Sequence, residues 1–139
     1  MPDSHHSRLD FATLQRASIP NDALACSPDV CLQAEPSRHA IVLPANSTTV
    51  GEALRRVEPS AEIWTEPSGE VRAHYVAVTP LLRFKDDVDI LIRPSGAQQS
   101  IVAIYSRSRV GYSDLGTNAR RIDSLERRLR TELAANSAG

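Results

Sequence analysis

The fold is decided by residues 88–108, which read VDILIRPSGAQQSIVAIYSRS. Val88, Ile90 and Ile92 fall at every second position, which is the spacing of a strand with one buried face. Pro94-Ser95-Gly96-Ala97 is typical of a turn, and a second apolar stretch follows over residues 101–108. Strands joined by so short a turn are antiparallel neighbours, so these residues predict the centre of an antiparallel sheet.

The same sheet is predicted to begin earlier in the chain. Residues 61–66 and 71–78 flank Pro67-Ser68-Gly69-Glu70, which is typical of a hairpin turn. Residues 81–84 are predicted to continue the sheet, and residues 39–43 form a further short apolar strand before the first helix.

Two amphipathic helices are predicted. Thr49 and Glu52 have the spacing of a capping box, and apolar residues then recur three and four apart, at Val50, Ala53, Leu54 and Val57. A last helix, capped by Thr117 or Asn118, places one apolar face on the sheet through Ile122, Leu125, Leu129 and Leu133.

The predicted fold is therefore α+β: a curved antiparallel sheet in strand-helix-four-strand-helix order, with the helices packed on one face. This order resembles the arrangement of the TATA-binding protein, and a lipid-binding helix-grip shape is the alternative. Three ranges are expected: an irregular N-terminal arm (1–37), the α+β domain (38–135) and a disordered tail (136–139). The arm is predicted to lie on the domain through Phe11, Leu14, Ile19 and Leu24.

Length and composition bound the class of protein. The chain has 139 residues, 41% hydrophobic and 24% charged, which suits one soluble globular domain. A net charge of -1 and only six aromatic residues (one Trp, three Tyr, two Phe) give no footprint for nucleic-acid binding. No apolar run approaches the ~20 residues of a membrane span. The start carries no leader, so a cytoplasmic location is expected, or an envelope location if a leader is missing from this chain.

Two cysteines stand close together in the arm. Cys26 and Cys31 could close a small loop in an oxidising compartment, but two buried or loop thiols are the expected state. A zinc site needs a second pair of ligands, and His39 and His74 lack the spacing for it. No metal and no cofactor is predicted.

Residues 106–122, SRSRVGYSDLGTNARRI, are the most distinctive run, and we call them the junction. With residues 20–26, 86–88 and 101–105, the junction resembles the signature of the domain of unknown function numbered 1499, an uncharacterised bacterial and plant family. The resemblance extends from about Phe11 to Leu129. It implies no activity, cofactor or catalytic residue. Many relatives look envelope- or membrane-associated through a leader or membrane segment, from which this sequence departs.

The junction supports two physical hypotheses. Backbone N–H groups at a helix N-terminus attract anions, so the arginines and the loop could form a phosphate or carboxylate pocket. The favoured alternative is a structural clasp, in which arginines pair with nearby acids and fix the loop between sheet and helix. Both hypotheses use Arg107, Arg109, Ser113, Asp114, Asn118, Arg120, Arg121, Asp86 and Asp87.

The sequence gives less support to a catalytic site than to the clasp or the anion pocket. Residues 111–116, GYSDLG, superficially resemble a nucleophile elbow but have one residue too many after Ser113, and a triad with His74 is therefore not favoured. Asp86 and Asp87 are adjacent on a strand, so they are expected to point to opposite faces and not to share a site. No catalytic residue is assigned.

The leading functional hypothesis is a non-enzymatic binding or interaction module. It would take a small apolar or anionic ligand, for example in a cavity lined by Ile90, Ile92, Ile101 and Ala103. The alternative is a hydrolase or anion-binding enzyme that uses the Arg107–Arg121 loop, and a third possibility is a structural module that works only through assembly.

Overall fold

The computed structural model describes residues 9–111 and 114–138. That part of the chain contains seven strands and two helices. The strands are β1 (Asp22–Cys26), β2 (Arg38–His39), β3 (Ile41–Leu43), β4 (Glu62–Thr65), β5 (Val71–Val78), β6 (Lys85–Pro94) and β7 (Ser100–Ser108). The helices are α1 (Ser47–Val57), which precedes β4, and α2 (Thr117–Ala138), which follows β7.

The strands form one open sheet in the order β2-β1-β7-β6-β5-β4. β7 lies at its centre, since β6 occupies one edge of β7 while β1 and β3 share the other. All pairings are antiparallel except that of β1 with β2. These findings confirm the α+β class. They also confirm the four consecutive antiparallel strands β4–β7, with one helix before them in the chain and one after.

Both helices pack on the same face of the sheet, as predicted. α1 contacts β5 and β6, and α2 contacts β1 and β7. Alternate side chains of the central strands point to this face, so that Ile90 of β6 and Ile104 of β7 lie opposite each other in the ladder. The helices complete this core with side chains that include Val50, Leu54, Ile122, Leu125 and Leu129.

The other face of the sheet is covered by the N-terminal segment. Phe11 and Leu14 are buried there against Leu91 and Tyr105, whereas Ile19 is 39% exposed. The segment predicted as an irregular arm thus contains strand β1 and forms part of a second core. Its short strand has the sequence DALAC, in which all but the first residue are buried, so no alternation marks it as a strand.

Cys26 and Cys31 form a disulfide, which corrects the expectation of two thiols. Cys26 ends β1 and Cys31 follows a turn in which the backbone N–H groups of Val30 and Cys31 both bond the Ser27 carbonyl oxygen. This turn brings the two sulfur atoms together on the second face of the sheet.

Several element boundaries differ from the predictions. Residues 81–84 belong to the turn between β5 and β6 and not to a strand. The capping residue of α1 is Asn46, whose side chain accepts from Thr49 N–H at 2.9 Å, so Thr49 lies inside the helix. α2 runs to Ala138, through the start of the predicted tail.

The four residues expected to line one apolar cavity lie on two different faces. Ile90 and Ile92 belong to the core beneath the helices, whereas Ala103 packs against the N-terminal segment. Ile101 is on the same strand as Ala103 and two positions away, so it shares that second face. That cavity prediction is wrong because consecutive strand residues alternate in direction.

Within the described residues, neither helix has the length and apolarity needed to cross a membrane.

Candidate functional site

The loop before α2 folds back onto its own helix through Asp114. One carboxylate oxygen accepts the backbone N–H of Gly116 at 2.9 Å, and the other accepts that of Asn118 at 3.1 Å. Burial alone would raise the pKa of Asp114, but these hydrogen bonds and one from the Asn118 side chain lower it. A carboxylate of the chain itself therefore occupies the start of α2, where an external anion would bind.

Asn118, in the first turn of α2, is fully buried and joins three parts of the chain. Its Oδ1 accepts hydrogen bonds from the Ser106 hydroxyl at 2.6 Å and from Arg121 Nη1 at 2.8 Å. Its Nδ2 donates to Ser108 Oγ at 3.0 Å and to the Asn21 carbonyl oxygen at 3.1 Å. The amide thus ties the end of β7 and the residue before β1 to the last helix.

Three arginines of the junction each contact an acid of β6. The pairs are Arg107–Asp89 at 2.9 Å, Arg109–Asp87 at 2.9 Å and Arg121–Asp86 at 2.8 Å. Arg109 donates to both oxygens of Asp87, and these hydrogen bonds lower the pKa of that carboxyl. Arg120 differs, since its guanidinium donates to the Leu115 carbonyl oxygen at 3.0 Å and meets no described acid.

Asp86 and Asp87 point to opposite faces of the sheet. Asp86 is 1% exposed and lies on the helix side, where it meets Arg121. The contact is close, but the N–H vectors of Arg121 are directed at Ser106 and Asn118. Neither oxygen of Asp86 accepts a hydrogen bond from any described residue, so a buried carboxylate retains unused acceptor capacity.

A polar cluster occupies the opposite face, centred on His74 of β5. His74 Nδ1 lies 3.2 Å from Asp89 Oδ1, and Nε2 lies 3.6 Å from Asp87 Oδ1. The hydrogen bond to Asp89 raises the pKa of His74, and attraction to Asp89 and Asp87 adds to it against the effects of burial and of Arg107. The acids and cations of this cluster neutralise one another, which is the arrangement of a structural ion-pair network.

The same cluster continues to the N-terminal segment through Tyr105. Its hydroxyl donates to Asp22 Oδ2 at 2.8 Å, and Arg16 donates to both oxygens of Asp22, at 2.8 and 3.2 Å. Burial, followed by the hydrogen bond to Asp22, raises the pKa of Tyr105 to about 12. The guanidinium carbon of Arg107 lies 4.9 Å from the centre of the Tyr105 ring, within the range of a cation–π contact.

A hollow of about 340 Å³ lies where the junction meets the turn between β5 and β6. Its lining includes five large, exposed apolar side chains, which we call the apolar tip: Leu81, Leu82, Phe84, Val110 and Leu115. The polar lining comes from Thr79, Asp86, Ser108, Asp114 and Thr117. Ligand pockets commonly have volumes of roughly 300–1,000 Å³, so this hollow is large enough for a small ligand.

The two loops around the hollow carry unusual backbone angles. Arg83 has φ +62° and Leu115 has φ +52°, and no other described non-glycine residue has a positive φ. An L-residue in this region costs of order 1–3 kcal/mol of strain, and such strain collects at functional sites. The two loops therefore hold conformations that the local sequence alone does not favour.

The predicted site residues are divided between the two sides of the sheet. Asp86 and Asp114 line the hollow, while Arg107, Arg109 and Asp87 join the cluster around His74. Ser113 lies outside the described residues. The described chain contains no group of three His, Cys, Asp or Glu side chains that could hold a metal ion.

Sequence reasoning misses the apolar tip. The run LLRF at residues 81–84 is predicted as part of the sheet, although it contains none of the alternation that marks the neighbouring strands. An apolar run next to Pro80 without a strand or helix period is itself a signal of an exposed loop. The partnership of His74 with Asp89 needs the strand register, which pairs these two residues across β5 and β6.

Comparisons with known proteins identify a family. No curated protein matches the chain at a significant level. The crystal structure of TTHA0849 from Thermus thermophilus is similar to 84% of this chain and 99% of its own, with 14% sequence identity and a TM-score of 0.39, too low to support an argument. The family model described as "Protein of unknown function (DUF1499)" matches residues 18–129. That range includes the junction and all seven strands, and the chain therefore belongs to the DUF1499 family.

Proposed function

We propose that the protein is a non-enzymatic binding module and that its ligand enters the hollow beside the junction. The observation that carries this proposal is a hollow whose lining combines exposed apolar side chains with Asp86, a buried acid whose oxygens accept no hydrogen bond from the described residues. Ligand sites in proteins commonly combine a mainly apolar lining with a few polar groups that fix orientation.

The state of the junction favours binding over catalysis. Arg107, Arg109 and Arg121 contact acids of β6, and Asp114 takes the first amides of α2. An anion-processing site needs unpaired donors that converge on the substrate. These groups are instead paired or hydrogen-bonded within the chain, which supports a structural role for the junction.

The chemistry of the hollow indicates the class of ligand. Its apolar walls favour a hydrocarbon body, since each buried CH₂ group contributes about 0.8 kcal/mol. Asp86 lines the hollow, and its unused acceptor capacity favours a ligand that carries a hydroxyl or amine. We therefore propose a small, mainly apolar ligand with one hydrogen-bond donor.

Native mass spectrometry of the freshly purified chain tests the proposal. We expect a bound small molecule, and we expect the Val110→Trp variant to lose it, because the larger ring fills the mouth of the hollow. The matched control is Val42→Trp, since Val42 is similarly exposed on β3 and does not line the hollow.

Added decanol gives a second measurement, because it has both an apolar body and a donor. It should raise the melting temperature of the wild type and of Val42→Trp but not that of Val110→Trp. If no ligand is found and decanol has no effect on the wild type, the hollow is not a binding site.

A further inference from the structure

We propose that the apolar tip docks on an anionic lipid bilayer. The inference builds on the proposed function, since it names the bilayer as the source of the ligand that enters the hollow. Docking itself needs only the exposed side chains and their charged neighbours, so the two proposals can fail separately.

The apolar tip exposes large side chains to an extent that folding does not explain. Leu81 is 90% exposed, Leu115 is 83% and Leu82 is 67%. Single exposed apolar residues are common on protein surfaces, but these belong to one surface, because all of them border the same hollow. A contiguous apolar patch of this kind indicates an interaction surface.

Three cations lie close in the chain to residues of the apolar tip. Arg83 and Lys85 are exposed, and neither lies within ion-pairing distance of a described acid. Arg120 adds a third cation beside Leu115. Asp114 supplies one negative charge, and Asp86 and Asp87 are each balanced by an arginine. A chain with a net charge of -1 therefore presents a positive end at the place where its apolar side chains protrude.

This combination fits a bilayer better than a protein partner. A stable protein interface uses roughly 20–30 residues a side, and the apolar tip offers five apolar side chains from two turns. Leucine and phenylalanine side chains can enter the boundary between headgroups and acyl chains, while arginine and lysine remain at the lipid phosphates. Each cation near an anionic surface contributes about fivefold in partitioning.

Vesicle flotation of the full chain tests the docking. The probes are vesicles of phosphatidylcholine alone and vesicles of equal parts phosphatidylcholine and phosphatidylglycerol. We expect the wild type to float with the anionic vesicles and to bind the neutral ones at least about 25-fold more weakly, about fivefold for each of Arg83 and Lys85. The Leu81→Glu/Leu82→Glu variant should lose binding to both, because the charges oppose insertion and repel the anionic surface.

Two further variants separate the contributions. Leu32→Glu is the matched control, because Leu32 is also an exposed leucine but lies near the disulfide and not in the apolar tip. It should bind like the wild type. Arg83→Gln/Lys85→Gln should lose about 25-fold on anionic vesicles, fivefold for each cation, and little on neutral ones.

Two results would overturn the docking proposal. One is that the wild type does not bind anionic vesicles, and the other is that the Leu81→Glu/Leu82→Glu variant binds them as well as the wild type does. If the wild type does not bind vesicles but is a dimer, and the Leu81→Glu/Leu82→Glu variant is a monomer, the apolar tip is a surface for self-association instead. If native mass spectra show a bound ligand but the protein does not bind vesicles, only the docking proposal is wrong. If the protein binds vesicles but shows neither a bound ligand nor an effect of decanol, only the proposed ligand site in the hollow is wrong.

Discussion

Arg109 and Arg121 are both junction arginines that contact an acid of β6, yet they differ in what surrounds them. The Arg109 side chain is 46% exposed and that of its partner Asp87 is 18% exposed. For Arg121 and Asp86 the values are 14% and 1%. Removing one member of a buried ion pair leaves the charge of its partner uncompensated in a low-dielectric environment. In an exposed pair, water takes the place of the lost partner.

Arg121→Ala is therefore expected to destabilise the protein by about 3–5 kcal/mol, since it leaves the Asp86 carboxylate buried without a counter-ion. Arg109→Ala is the matched control and should cost no more than about 1 kcal/mol. Urea unfolding followed by far-UV circular dichroism measures both. Equal small losses for the two variants would contradict the structural role of the Arg121–Asp86 pair.

His74 gives a stability that depends on pH. Its pKa is raised from the ordinary 6.5 in the folded protein, chiefly by the hydrogen bond to Asp89, so the folded state binds a proton more tightly than the unfolded state. The stabilisation is fully present below about pH 6.5 and is lost as pH rises through the folded pKa. The free energy of unfolding should decrease over that window.

Urea unfolding at a series of pH values and constant ionic strength measures this dependence. His74→Gln should remove it, because glutamine cannot take up the proton. The exposed His39 provides the control, and His39→Gln should leave the dependence unchanged. A free energy that stays level above pH 6.5 in the wild type would contradict a coupling of His74 to Asp89 and Asp87.

At the scale of elements, the disulfide fastens β1 to the loop that follows it. Closing so short a loop removes little entropy from the unfolded chain, so its contribution is about 2 kcal/mol. The Cys26→Ala/Cys31→Ala variant should lose about that amount, and a reducing agent should lower the stability of the wild type but not that of the variant. Unfolding of both proteins with and without dithiothreitol measures the difference. Wild-type stability that is insensitive to the reductant would argue against this role.

The elements also show which structures can be predicted from the sequence. β5, β6 and both helices are predictable because their apolar residues recur with period 2 or 3.6. β1 escapes prediction because it is buried on both faces and so shows no alternation. β2 has two residues, Arg38 and His39, too few for any period.

The candidate site is predictable only in part, because its two halves are distant in sequence. Asp114 and Asn118 can be identified from the junction alone, since a helix start has local sequence signals. The hollow needs residues 79–84 beside residues 108–117, and only the pairing of β6 with β7 brings these ranges together. No local pattern contains that contact.

At the scale of the whole molecule, β6 and β7 separate two cores. Helices cover one face, and the N-terminal segment with its disulfide covers the other. The junction has ion pairs on both faces of the sheet. Arg121 pairs with Asp86 on the helix face, and Arg107 pairs with Asp89 on the face that the N-terminal segment covers. A change in the segment should therefore affect the global unfolding of the chain and not a separate local event.

Phe11→Ala tests this coupling. Phe11 is 3% exposed in the second core, so its truncation should cost about 3 kcal/mol or more. The loss should appear as one cooperative transition at lower urea, identical by tryptophan fluorescence, which reports Trp64 of β4, and by far-UV circular dichroism. Ile19→Ala is the control in the same segment, because Ile19 is partly exposed and belongs to neither core. A variant whose segment detaches while the Trp64 transition keeps its wild-type midpoint would show that the N-terminal segment is an appendage, not a layer of the fold.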